Sequence, residues 1–311
     1  MTADDSIAKS HKGNLTGIAA MLISMAAFTA NDTCIKLLNE TVPLGEMILL
    51  RNGLATIYIL IFAAVFGGLT WPKNPPMKLL NWRLAGELFS TIFFLSGLVA
   101  LPIAEAVAIG QVTPLVITAA AALILKEPVG WRRWSAAFAG FIGVLLIVQP
   151  GTDAFSPAAL LILAAVFTVV LRDLATRYIA TSVSTLTLTL MSAVAGVAAG
   201  VMLLPFETWV WPSARELGLI MLTALFLTLG YIFVIIAMRN GEVAVVSPFR
   251  YAVILFALLA GWVMWNELPD AIQFLGIVIL TVAGIYTFHR ERKILHQSQR
   301  ETAANRSVTS D

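Results

Sequence analysis

KEPVGWRRWSAAFAGFIGVLLI, residues 126–147, and NELPDAIQFLGIVILTVAGIYT, residues 266–287, are two copies of one pattern set 140 residues apart. Each copy has a carboxylate at the end of an apolar run, a tight polar turn, and then a Gly-containing apolar helix. A second echo lies upstream, where AVAIGQVTP (106–114) aligns with VAVVSPFRY (243–251) at an offset of 137. Phe28-Thr29 recurs as Phe167-Thr168, and Asp32 with Lys36 recurs as Asp173 with Arg177, at offsets of 139 to 141. Self-similarity at one long period marks a duplicated architecture.

The composition says what kind of unit is duplicated. Of 311 residues, 59% are hydrophobic and only 12% charged, which places the chain in the membrane class. Ten stretches lack Asp, Glu, Lys and Arg: 13–31, 52–72, 88–104, 106–125, 134–152, 154–171, 178–206, 217–238, 251–266 and 271–289. Each is about as long as a bilayer-spanning helix, which needs roughly 20 residues. The ~10-residue alternating segments of an outer-membrane barrel are missing. Each copy therefore holds five helices. Five is odd, so the second copy enters the membrane in the opposite direction to the first. The expected fold is all-α and integral to the membrane, with ten transmembrane helices arranged as two inverted five-helix repeats.

The expected boundaries follow. Residues 1–12 form a cytoplasmic N-terminal arm, 13–150 the first repeat, 151–290 the second, and 291–311 a polar cytoplasmic tail without apolar period, disordered by composition. The turn GTDAFS (151–156) joins the repeats. No compact cleavage site follows the first apolar run, so it reads as a retained helix rather than a signal peptide. With ten spans, 16 of the 20 Lys and Arg residues fall on the side of the termini. The positive-inside tendency then makes both termini cytoplasmic. The sole cysteine, Cys34, excludes an intrachain disulfide and a cysteine metal cluster, and reads as a small apolar filler.

The ordered motifs resemble the drug/metabolite transporter superfamily in its EamA-type, ten-helix form. The resemblance spans roughly residues 15 to 290 and rests on Lys36 late in the first helix, Pro43 followed by Arg51, Pro114, the spacing Glu127, Gly140, Gly143, and Glu267 with Gly276. Two positions depart from the pattern: Pro128 follows Glu127, and Gly143 is answered by Ala283. The resemblance implies carriage of small metabolites across a bacterial inner membrane by alternating access, and an arginine at position 51 whatever the solute. It favours uptake of a vitamin or nucleoside-like solute such as riboflavin, with amino-acid, S-adenosylmethionine or drug transport as the alternative.

Ionisable groups deep in a bilayer are costly and mark candidate sites. At ~1.5 Å per residue, Arg51 lies about 12 Å below one end of its helix and Arg250 about 12 Å from the end of its own, both too deep to snorkel. Each guanidinium can face a cavity and bind a carboxylate, phosphate or carbonyl of the solute, or can cap carbonyls inside the bundle. SPFRY (247–251) puts a kink, the Ser247 hydroxyl, Phe249, Tyr251 and Arg250 together, and is the leading substrate segment. Gln111 occupies the matching place in the first repeat, opposite Pro248. Asn31 and Phe28 complete the substrate candidates. Trp262 and Trp265 can stack on a planar solute or belong to the interfacial belt.

Asp32 and Lys36 stand one helical turn apart and are expected to pair. The pair either neutralises itself at the membrane edge or gates one mouth while Asp173 with Arg177 gates the other. Glu87 sits about one turn into its helix, near Arg83, and points to the interface or serves with Asp32 as a proton-coupling carboxylate. A proton, sodium or no coupling ion fits equally. Glu105, Glu127, Glu242 and Glu267 mark helix ends and read as structural. Pro114 and Pro248 free backbone carbonyls within spans. Gly196 and Gly200 read as close helix packing.

No phosphate-binding loop, HExxH, metal-ligand spacing or nucleophile elbow occurs. The chain is therefore read as no enzyme, with no cofactor, metal or nucleic acid partner. Its partners are a small-molecule substrate and the lipid bilayer, as a monomer or homodimer. The competing classes are an integral-membrane enzyme acting on lipid, and a membrane scaffold or channel.

Overall fold

The computed structural model describes residues 3–70, 76–123, 126, 130–179, 183–240, 242–287 and 289. Among these, the first repeat comprises α1 (Ala3–Leu38), α2 (Leu44–Phe66), α3 (Met77–Ala100), α4 (Ile103–Gly110), α5 (Thr113–Leu123) and α6 (Trp131–Val148). The second comprises α7 (Ala158–Ile179), α8 (Thr185–Leu203), α9 (Ala214–Asn240), α10 (Val243–Val246), a 3-10 turn (Ser247–Tyr251), α11 (Ala252–Trp265) and α12 (Ala271–Thr287). Eight spans are long and apolar enough to cross a membrane, the fourth of them made of α4 and α5 and the eighth of the 3-10 turn and α11. Two shorter apolar helices, Trp134–Val148 and Ala271–Thr287, complete ten. The chain is a multi-pass membrane protein. Residues 3–12 continue the first helix rather than forming a separate arm.

Local chemistry places the ends. Pro43, Pro76 and Pro102 stand immediately before α2, α3 and α4. There a fixed φ helps and a missing N–H costs nothing. Pro114 is the second residue of α5, so it starts a half-helix instead of kinking a continuous one. Lys126 (φ 55) and Asn266 (φ 53), 140 residues apart, share the left-handed conformation. Helix α12 opens with a capping box. Asp270 accepts the N–H of Ile272 (2.7 Å) and Gln273 (2.8 Å), while Gln273 Oε1 accepts the N–H of Asp270 (3.1 Å). The Gln273 bond first, with that from Ile272, holds the Asp270 carboxyl below the usual range.

The packing is that of two inverted copies. Helix α1 lies along α9 and α3 along α7, so the first helix of each repeat packs on the third of the other. Helix α2 packs on α8, α4 on α11, and α6 crosses α12. Gly196 and Gly200 of α8 bring that helix against Asn52 and Leu49 of α2, as expected of a close-packing motif. The bundle is turned inside out relative to a soluble protein. Phe138, Phe167, Leu255 and Val263 are exposed on its rim, while Asp32, Glu46, Arg51, Arg83 and Glu87 are buried.

The loops dock by the same symmetry. On the face opposite the N-terminus, Val210 N–H donates to Glu46 Oε2 (2.9 Å) and Gly45 N–H to Glu207 Oε2 (2.7 Å). On the N-terminal face, Thr70 N–H donates to Thr187 Oγ1 (3.1 Å), which donates back to the Thr70 carbonyl (3.0 Å). Glu46 and Thr187 are repeat equivalents, as are Thr70 and Val210.

At the α6–α12 crossing no side chain separates the backbones. A Cβ on Gly276 would stand 2.6 Å from the Gly143 carbonyl oxygen, and one on Gly143 would stand 2.9 Å from the Gly276 oxygen. Helices in lipid associate through such van der Waals contact, without the aqueous hydrophobic drive. Gly276→Ala should destabilise the bundle by about 1–3 kcal/mol, read as a lower melting temperature in detergent. Gly218→Ala, where the added Cβ meets nothing within 4 Å, should leave it unchanged.

Candidate functional site

Between the repeats lies a cavity of about 330 Å³, lined by residues of α1, α2, α3, the α4–α5 break, α7, α9 and the 3-10 turn. Its wall is built of equivalent positions: Gly110 and Arg250, Thr91 and Tyr231, Thr113 and Val253 all stand 140 apart and all line it. The cavity thus sits on the pseudo-twofold axis, where both broken helices meet. Tyr251 donates across that axis to the Gln111 carbonyl (3.4 Å), its ring seated in space that only Gly284 leaves open. Gln111 therefore matches Tyr251 at an offset of 140 and not Pro248 at 137. The short motif comparison slipped because a two-residue break in one repeat answers a five-residue 3-10 turn in the other.

Of SPFRY, Arg250 alone lines the cavity. Ser247 is buried, while Phe249 and Tyr251 line an apolar groove between α11 and α12. The 3-10 geometry spreads five neighbouring side chains around the segment, which sequence proximity had gathered into one site. Of the substrate candidates, Asn31, Phe28, Arg51 and Gln111 line the cavity, and so does Asp32, which the sequence placed at the membrane edge. Phe28 meets Tyr231 edge-on at 5.5 Å. Trp262 is exposed on the rim.

A polar network closes one side. Arg172 of α7 donates to Glu87 Oε2 of α3 (3.3 Å) and to Asp173 Oδ1 (2.8 Å). Ser192 of α8 donates to the same Glu87 oxygen (3.0 Å), and Arg83 donates to Ser192 (2.8 Å), Thr176 (2.7 Å) and the Leu188 carbonyl (3.2 Å). Glu87 is therefore a buried crosslink between repeats, not an interfacial carboxylate. Arg172 was missed in the sequence, although the repeat sets it level with Asn31 one residue before the paired acid. Tyr231 was missed too, and it answers Thr91.

The expected Asp32–Lys36 pair does not form. Asp32 turns into the cavity and accepts from the Asn31 amide (2.9 Å). Lys36 reaches across the repeats to Glu267 (3.0 Å), donates to the Leu101 carbonyl (2.8 Å), and stands 4.8 Å from the centre of the Trp265 ring. Three partners from two other segments outweigh one acid a turn away on the same helix. The left-handed turn at Asn266 points Glu267 back to this site. Beside it, Gln273 donates to Glu105 (3.4 Å) and Gln149 to Asp270 (2.7 Å). Asp173 accepts from Arg172, its neighbour; the expected partner Arg177, by its side chain, and Glu127 lie outside the described residues, as does the tail beyond 289.

Arg51 and Arg250 stand apart from these networks. Among the described residues neither makes a hydrogen bond or ion pair, and Arg51, 5% exposed, leaves its Nε–H without an acceptor. Asp32 and Glu87 favour the charge on Arg51, while Asp173 favours and Arg172 opposes the charge on Arg250.

The EamA-like transporter family matches this sequence twice, over residues 15–149 and 156–288. The chain is 26% identical over 294 residues to the S-adenosylmethionine uptake transporter of Rickettsia conorii, covering 93% of this chain and 98% of that one. It is 25% identical over 277 residues to the pseudopaline exporter CntI of Pseudomonas aeruginosa, covering 87% and 95%. It is 27% identical over 246 residues to a riboflavin transporter of Rhizobium johnstonii, covering 78% and 80%.

Removing one partner of a buried ion pair strands the other. Glu87→Leu should cost about 3–5 kcal/mol. In an Arg172→Met background the same change should cost far less. A double-mutant cycle on unfolding in mixed micelles measures the difference, and equal costs in both backgrounds would show the pair to be uncoupled.

Proposed function

The chain belongs to the EamA-like transporter family, and on that premise we propose that it carries a small polar metabolite across a bacterial inner membrane by alternating access, without enzymatic turnover. The observation that carries the reading is the central cavity. Its charged and aromatic groups come from both repeats and converge near the midplane, whereas an enzyme acting on lipid would gather its catalytic groups at one interface. Both termini face the cytoplasm in this reading, and residues 13–150 and 151–290 are the two moving units.

The Lys36–Glu267 pair then serves as a gate on the periplasmic face, because it spans the repeats and closes the space above the cavity. Breaking it frees one repeat from the other at that mouth. Asp173 and Arg177 lie at the other mouth, and Asp32, beside Arg51 in the cavity, is the carboxylate through which a proton would couple.

For the solute, a vitamin or nucleoside-like molecule such as riboflavin is supported by the riboflavin relative and by Phe28 and Tyr231 on the cavity wall, whose rings can pack against an aromatic solute. An amino-acid derivative such as S-adenosylmethionine is supported by the relative of that name and by the arginines at positions 51 and 250, which suit a carboxylate.

Uptake and efflux of a labelled panel containing riboflavin, S-adenosylmethionine and amino acids, in cells with and without the chain, tests the reading. Accumulation or depletion of at least one solute is expected; none, with the protein in the membrane, would overturn it. Growth of a riboflavin auxotroph at limiting vitamin decides between the two solutes. For the gate, Lys36→Met should raise thiol labelling of a cysteine placed at Gln111 from the periplasmic side severalfold. Unchanged labelling would move the gate elsewhere.

A further inference from the structure

We infer that the transported solute is an organic anion, held through a carboxylate or phosphate by Arg250 and Arg51; this rests on the transport reading above and adds to it the charge of the cargo. The first support is a charge count. The cavity wall and the network behind it hold Arg51, Arg83, Arg172 and Arg250 against Asp32, Glu87 and Asp173. Among the described side chains that is four guanidinium groups to three carboxylates, and a proton on Asp32 would widen the excess. A bundle surrounded by hydrocarbon has no solvent shell in which to dissipate an extra charge, so an opposite charge must enter the cavity. A monoanion balances the count, whereas neutral riboflavin leaves it uneven and net-cationic S-adenosylmethionine worsens it, so within the two solute classes above the count favours their anionic relatives.

The second support is the state of the donors. Arg83 and Arg172 spend most of theirs on Thr176, Ser192, Glu87 and Asp173, Arg83 keeping only its Nε–H unpartnered. Among the described residues Arg51 and Arg250 spend none, although both line the cavity and Arg51 is almost fully buried. A buried donor such as the Arg51 Nε–H is nearly always met by an acceptor, and Arg250 is open to the cavity, so a ligand entering it can reach both. Arg250 is held ready for one: its segment is pinned by the Tyr251–Gln111 bond on one side, while its guanidinium reaches the cavity. A planar fork on a fixed segment matches the geometry of a carboxylate or phosphate. The two arginines have different charged neighbours, Asp32 and Glu87 for Arg51, Asp173 and Arg172 for Arg250. They are therefore two ends of one site, suited to an extended solute that bears its anionic group at one end.

The test uses the full chain in lipid nanodiscs and solutes matched except in charge: riboflavin with riboflavin 5′-phosphate, glutamine with glutamate, and S-adenosylmethionine with S-adenosylhomocysteine. Phenylglyoxal labelling of Arg250, read by peptide mass spectrometry, reports occupancy without any need for transport. Counterflow in proteoliposomes reports transport separately. In at least one pair the more anionic member should protect Arg250 at a concentration about tenfold lower than its partner. In counterflow, Arg250→Gln should erase that preference with an unchanged melting temperature, and Arg250→Lys should restore part of it. Equal protection within every pair, better protection by the neutral or cationic members, or no protection at all overturns the inference. A preference that survives Arg250→Gln also overturns it. Protection by an anion with no counterflow of any solute would sustain the anion site and sink the transport reading instead.

Discussion

The ion pair between Arg172 and Glu87 joins the first helix of one repeat to the third helix of the other, away from water, and much of the interior is arranged around it. A guanidinium there needs a carboxylate, the carboxylate needs further donors, and Ser192 and Arg83 supply them. Such an assembly adds little stability over an apolar packing of the same volume. What it adds is register: α3 can slide along α7 only by separating these groups. The apolar contacts that surround it, on helices rich in Leu, Val and Ala, would tolerate many offsets.

Shape and charge obey different rules in this chain. The backbone is close to two-fold symmetric, down to left-handed turns at Lys126 and Asn266 and loop joints at equivalent positions. The cavity wall is not. Gly110 faces Arg250 across the axis, and Thr91 faces Tyr231. Duplication supplied two identical halves of a container, and substitution at a few inward positions then gave its interior one chemical direction. A solute on the axis meets Asp32 and Arg51 from one repeat and Arg172 and Arg250 from the other, so both sides are charged but not alike.

Most of the scaffold was legible in the sequence, because it depends on properties that survive in one dimension. Ten apolar runs and a period near 140 need no knowledge of contacts to be seen. Arg51 and Arg250 stood out in the sequence by depth alone, whereas Asp32, expected at the membrane edge, did not. What failed depended on choice among partners. Lys36 has an acid one turn away, and chain proximity made it the natural mate; the folded chain offers a carboxylate, a carbonyl and an indole together, from segments 65 to 231 residues distant. SPFRY failed for the converse reason, since five adjacent residues on a 3-10 turn point to different places. The signals for Arg172 and for the DAIQ cap were present: the first by carrying the repeat alignment through the paired acid, the second as a short capping pattern.

The two loop joints are equal in position and unequal in kind. At one, backbone N–H groups settle on the carboxylates of Glu46 and Glu207; at the other, the acceptor is the hydroxyl of Thr187. A hydrogen bond to an ionised acceptor is roughly twice as strong as one between neutral groups. The second joint adds the Ser184 hydroxyl on the Gly68 carbonyl (2.7 Å). The two loops are thus held by different chemistry, and replacing a single acid loosens one while leaving the other untouched.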